Sequence, residues 1–111
     1  MSNEVIAEFR NSGNRFIEIA KSASSEKLHR SAQNDEWSPA NIIHHIADAE
    51  AHFYIRYLRL LTENIPTTEF FDEEVYPELL HYEKRDVNAS IALIESIRAA
   101  SISLFGNFKE E

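Results

Sequence analysis

Apolar residues recur at helical spacing in three long stretches of this chain, and the spacing fails in the two stretches between them. The first run predicts a helix from Asn3 to Ser24. Val5, Phe9, Phe16, Ala20 and Ala23 form its stripe, flanked by Ile6 and Ile19, while Glu8, Arg10, Asn14, Arg15, Glu18 and Lys21 lie mostly off it. Gly13 weakens the helix and leaves room for a close approach by another helix. The polar segment from Ser24 to Asp35 reads as a connection, with Leu28 tucked back onto the core.

The second run has the sharpest start. Ser38 suits an N-cap, because its hydroxyl can accept an orphan N–H of the first turn, and Pro39 suits the first helical position, where no N–H is needed. The helix is expected to reach Leu61 or Thr62. At 100° per residue, Ile42, Ile46, Ala49, Phe53, Tyr57 and Leu60 fall on one narrow face, widened by Ile43, Ala47, Tyr54, Leu58 and Leu61. A helix apolar over so much of its girth packs against two or more neighbours. His45, Asp48, His52 and Arg59 form a polar strip at the other edge of the arc. The same projection points His44 towards solvent.

From Glu63 to Arg85 the periodicity is lost, around Pro66 and Pro77 and the aromatics Phe70, Phe71, Tyr76 and Tyr82. A connection of this length is uncommon in a compact domain. It is expected to cross one end of a bundle, with a helical turn near Phe71 to Tyr76 and its aromatics anchored to the core. The third long helix is expected from Asp86, as N-cap, to Phe105, with Gly106 at C′. Val87, Ile91, Ile94, Ile102 and Phe105 share its face, widened by Ile97 and Leu104. Arg98 falls near the centre of that face and needs a partner; Glu50 on the second helix is the candidate.

Composition narrows the picture. A chain of 111 residues with 43% hydrophobic residues fits one globular domain, and two glycines and three prolines favour long helices over a turn-rich β fold. The expected fold is all-α, an up-and-down helical bundle. The absence of cysteine excludes disulfides, thiolate metal sites and a protein thiol nucleophile. A net charge of −8 argues against a sequence-independent nucleic-acid partner, which needs a basic stripe. The acidic residues from Glu69 to Glu83 and the pair Glu110-Glu111 read as solvated faces. The N-terminus resembles neither a signal nor a transit peptide, and no stretch approaches the apolar length of a membrane span, so a soluble, cytoplasmic protein is expected.

Chemistry concentrates on the second helix. His45 with Asp48, or Asp48 with His52, are spaced three and four residues apart and could each supply two ligands to Zn, Ni, Fe or Mn. His45 and His52 lie two turns apart, about 10 Å along the axis, too far for one ion. Such residues on one helix are more often a polar edge than a metal site. Any third ligand must come from elsewhere, and His29 and His81 are the only other histidines.

The segment from Trp37 to Tyr76 resembles the DinB/YfiT-like superfamily of four-helix-bundle proteins, described as metal-dependent hydrolases or thiol transferases. The resemblance rests on Trp37-Ser38 opening the helix, His45 eight residues after the Trp, the run from His45 to Glu50, Arg56 with Tyr57-Leu58-Arg59, and the segment Phe71 to Tyr76. It implies that His45 is the first of three metal-binding histidines, the other two coming from a late helix as H-x-x-x-H. It also implies a divalent metal as cofactor and a low-molecular-weight thiol, such as bacillithiol or mycothiol, as partner in the transferases.

No H-x-x-x-H follows in this sequence. The chain is therefore expected to be either part of a longer protein or a member that has lost the site, and to carry one of the three ligands. Three helices of a four-helix bundle leave an apolar groove, expected to be covered by a second copy in a homodimer or by rearrangement of the 63–85 segment. The alternative to a metal-dependent enzyme is a non-catalytic helical domain that acts by self-association or by binding a small apolar ligand.

Overall fold

The computed structural model describes residues 2–31, 37–64 and 70–108. Among them the protein is helical, with no strand. Helix α1 spans Asn3–Ser22, α2 Ser25–Leu28, α3 Pro39–Thr62, α4 Tyr76–Leu79 and α5 Val87–Gly106, with 3-10 turns at Glu73–Val75 and Tyr82–Lys84. The predicted features at residues 32–36, at Pro66 and Glu69, and at Glu110-Glu111 lie outside the described residues.

The capping residues act as the sequence predicts. Ser38 Oγ accepts from the Asn41 N–H at 3.1 Å with Pro39 in the first turn, and the Asp86 side chain accepts from the Asn88 N–H at 2.9 Å. Each such cap contributes about 1 kcal/mol. Two boundaries differ. Ser24 accepts from the Lys27 N–H and starts the single turn α2, so α1 stops at Ser22. Gly106 remains helical and Asn107 is the C-cap, so this end does not use the left-handed glycine cap.

Helix α5 is the shared element: α1 and α3 both pack against it. The core joins Ala20, Leu28, Ala40, Ile43, Ala47, Val87, Ile91 and Ile94, and Leu28 does tuck back as expected. Helix α5, which α1 and α3 both contact, has the length and apolar composition of a membrane span, contrary to the expectation that no stretch approaches it. Its charged residues are paired within the fold, Glu95 with Lys21 at 2.8 Å and Arg98 with Glu50 at 2.6 Å.

The buried faces are rotated from those predicted. On α1 the buried positions are Ile6, Gly13 and Ala20, and on α3 they are Ala40, Ile43, His44, Ala47, Ala49 and Glu50. Ile19, Ile42 and Phe53 remain 64%, 42% and 38% exposed. Much of the predicted α3 face lines an open groove between α1 and α3. Two depressions of about 340 Å³ each lie along it and share Phe16.

Candidate metal centre and the polar network beside it

The cap at Ser38 fixes where α3 begins and therefore where His45 stands, two turns in. Its ring meets the edge of Trp37, with centroids 5.3 Å apart and planes at 67°. His45 Nε2 lies 3.6 Å from Glu73 Oε2. Both residues line one of the two depressions in the groove, together with Phe16, Ile46, Phe53, Glu50 and Arg98. His45 is thus partly accessible, and it faces a carboxylate from the 3-10 turn.

The other candidate ligands turn elsewhere. Asp48 Oδ2 accepts from the Tyr82 hydroxyl at 2.6 Å and from Arg85 Nη1 at 2.8 Å. His52 stacks on Phe71, with centroids 3.8 Å apart and planes at 5°, and its Nε2 pairs with the Tyr76 hydroxyl at 2.9 Å. Neither the His45–Asp48 nor the Asp48–His52 pair forms. His29 bonds the Ser25 carbonyl, and exposed His81, at a left-handed φ of 52°, pairs with Glu83. Of the anchoring aromatics, Phe71, Tyr76 and Tyr82 behave as expected, whereas Phe70 is 87% exposed.

His44 overturns its prediction most clearly. It is fully buried, with Nδ1 2.7 Å from Ser90 Oγ on α5 and its ring beside Tyr82. Nε2 has no hydrogen-bond partner. Burial chiefly, and then the nearby Arg85 charge, lower the His44 pKa below 6.5, against a smaller opposing effect of Asp48. Burial and the bond to Asp48 raise the Tyr82 pKa. Projection failed for His44 because it placed the helix by its apolar residues, and the true interface with α5 includes a serine that a histidine can pair with.

On the other side of α3, Arg98 pairs with Glu50 as the face arithmetic predicted. Its Nη2 also donates to the Phe9 carbonyl at 2.6 Å, and its guanidinium lies over the Phe9 ring at 3.8 Å. Gly13 makes this possible: a Cβ there would sit 2.9 Å from Arg98 Cζ. The close approach that Gly13 permits is thus by an arginine side chain.

A protein-family model described as the DinB superfamily matches residues 8–111. The chain belongs to the DinB superfamily. Two relatives are named "Putative metal-dependent hydrolase". OB0413 of Oceanobacillus iheyensis is 31% identical over 101 residues, 88% of this chain and 56% of its own. YfiT of Bacillus subtilis is 28% identical over 75 residues, 68% of this chain and 42% of its own. The solved structure of YfiT, described as having an unusual four-helix bundle topology, superposes with a TM-score of 0.80 at 22% identity, over 96% of this chain and 63% of that one. The chain therefore spans 42% to 63% of the length of these relatives. At that identity the superposition shows the fold alone. Sequence reasoning missed Glu73 as a neighbour of His45 and Arg85 as a partner of Asp48. Glu73 sits in an acidic run, which by composition reads only as solvated surface.

Proposed function

We propose that this chain is the His45-bearing part of a divalent-metal-dependent DinB enzyme, a hydrolase or a transferase that uses a low-molecular-weight thiol. The metal would be Zn, Ni, Fe or Mn, all suited to imidazole and oxygen ligands. The observation that carries this reading is that His45 is the histidine of α3 that lines the open groove, while His44 is buried and His52 is stacked on Phe71. The names of the relatives support it. A divalent ion held there supplies Lewis-acid chemistry. His45 holds one position, and Trp37 orients its ring. Phe16, Ile46 and Phe53 wall the cleft and would exclude water from an apolar part of a substrate. No three His, Cys, Asp or Glu side chains converge among the described residues, so at least one ligand comes from outside them or from water. Elemental analysis of protein expressed from its full natural reading frame tests the reading. A stoichiometric divalent metal is expected, lost in His45→Ala with helicity kept. Metal-free wild type, or a His45→Ala variant with undiminished metal, overturns it.

The groove favours a second reading, a non-catalytic domain that self-associates as a homodimer or binds a small apolar ligand. The depression bounded by Phe16, Ile19, Ala20, Ala23, Ile42 and Ile43 is almost wholly apolar, and its volume of about 340 Å³ is that of a small-ligand pocket. In that case His45→Ala changes stability alone, and the protein carries no metal.

A further inference from the structure

We propose that Glu73 is a metal ligand paired with His45, so that the 3-10 turn after α3 supplies a carboxylate to the centre. This rests on the enzyme reading above and names a ligand that the histidines alone do not. The decisive observation is a distance. At 3.6 Å, His45 Nε2 and Glu73 Oε2 are too far apart for a hydrogen bond, which needs about 2.7–3.2 Å. Two ligands on a tetrahedral ion, with bonds of about 2.0–2.2 Å, stand about 3.4 Å apart. The pair therefore has the spacing of two ligands that share an ion.

Local structure holds the carboxylate in place. Asp72 caps the turn Glu73–Val75, with its Oδ1 accepting from the Glu74 N–H at 3.2 Å. Phe71, two residues before Glu73, is stacked on His52, and Tyr76, three residues after it, bonds the same His52. The segment is thus fastened to α3 on both sides of Glu73, at His52, two helix turns from His45. The same cleft is lined by Glu50, buried, with one oxygen on Arg98 and Oε2 left without a partner. A buried acceptor without a partner marks a place where a donor, such as a water on the ion, belongs. Glu73 itself is half exposed, as a ligand from a connecting segment can be.

Calorimetric titration of the metal-free protein with Zn²⁺ or Ni²⁺ tests the pair, with Co²⁺ added for its visible spectrum. Glu73→Gln is expected to weaken binding about tenfold or more and to alter the Co²⁺ absorption, since loss of even an outer-shell partner costs about 10–100-fold. Glu74→Gln removes the same charge one residue on and is expected to leave affinity unchanged. His45→Ala is expected to abolish binding. If Glu73→Gln binds with wild-type affinity and spectrum while His45→Ala does not bind, the Glu73 assignment is overturned and His45 stands. If both glutamine variants weaken binding equally, the effect is bulk charge and the assignment falls. If the wild type binds neither Zn²⁺ nor Ni²⁺, both readings fall.

Discussion

At Gly13 a hydrogen in place of a methyl group decides where a charge can lie. The Arg98 guanidinium occupies the space a Cβ would take, and there it meets Glu50, the Phe9 carbonyl and the Phe9 ring. Gly13→Ala is therefore expected to lower stability by about 1–3 kcal/mol through overpacking, although alanine is the better helix former by about 1 kcal/mol. In an Arg98→Met, Glu50→Gln background the crowding is gone, and Gly13→Ala is expected to stabilise by up to about 1 kcal/mol. Urea unfolding of the four proteins measures this, and equal effects in both backgrounds would show that Gly13 does not serve Arg98. The Arg98–Glu50 pair was legible in the sequence because a charge at the centre of an apolar face demands a partner. His44 was not, because its partner is a neutral serine that hydrophobic spacing does not register.

Among the elements, the long helices follow from capping and periodicity alone, since local interactions suffice to start and end them. The connection from Phe70 to Asp86 does not. Its 3-10 turns and the single turn α4 are held by side chains that reach α3 from far along the chain, Tyr76 to His52 and Tyr82 with Arg85 to Asp48. Tyr82 is 1% exposed, so its hydroxyl bond to a carboxylate is shielded from water. Tyr82→Phe is expected to cost about 1.5–3 kcal/mol, the range for a bond to a charged group. It is also expected to speed amide exchange across residues 76–86 while the centres of α3 and α5 stay protected. Uniform acceleration over the whole chain would instead mean that Tyr82 acts only through global stability. Removing the His52 ring should loosen the other end of the connection, where Phe71 stacks, by the smaller amount an aromatic pair contributes, about 0.5–1.5 kcal/mol.

For the molecule as a whole, the buried His44 makes stability depend on pH. Its folded pKa lies below 6.5 and its unfolded pKa is near that value. As pH falls through about 6.5, the unfolded chain takes up a proton that the folded one refuses. The stabilisation is complete above 6.5 and is lost progressively below it, with a slope approaching about 1.4 kcal/mol per pH unit. His44→Gln keeps a polar group for Ser90 but cannot titrate, so its thermal midpoint is expected to fall less than that of the wild type between about pH 7.5 and about pH 5.5. The open groove between α1 and α3 has the other whole-molecule consequence. Part of the apolar face predicted for the second helix borders this groove instead of the core, with Ile42 and Phe53 left 42% and 38% exposed. Periodicity reveals that a face is apolar, and only the tertiary arrangement reveals what it meets. If two copies of this chain pair through the groove, light scattering at high concentration gives a dimer, and Ile42→Lys with Phe53→Lys gives a monomer of unchanged helicity. A wild-type monomer under those conditions would rule the pairing out and leave the groove to a segment or ligand beyond the described residues.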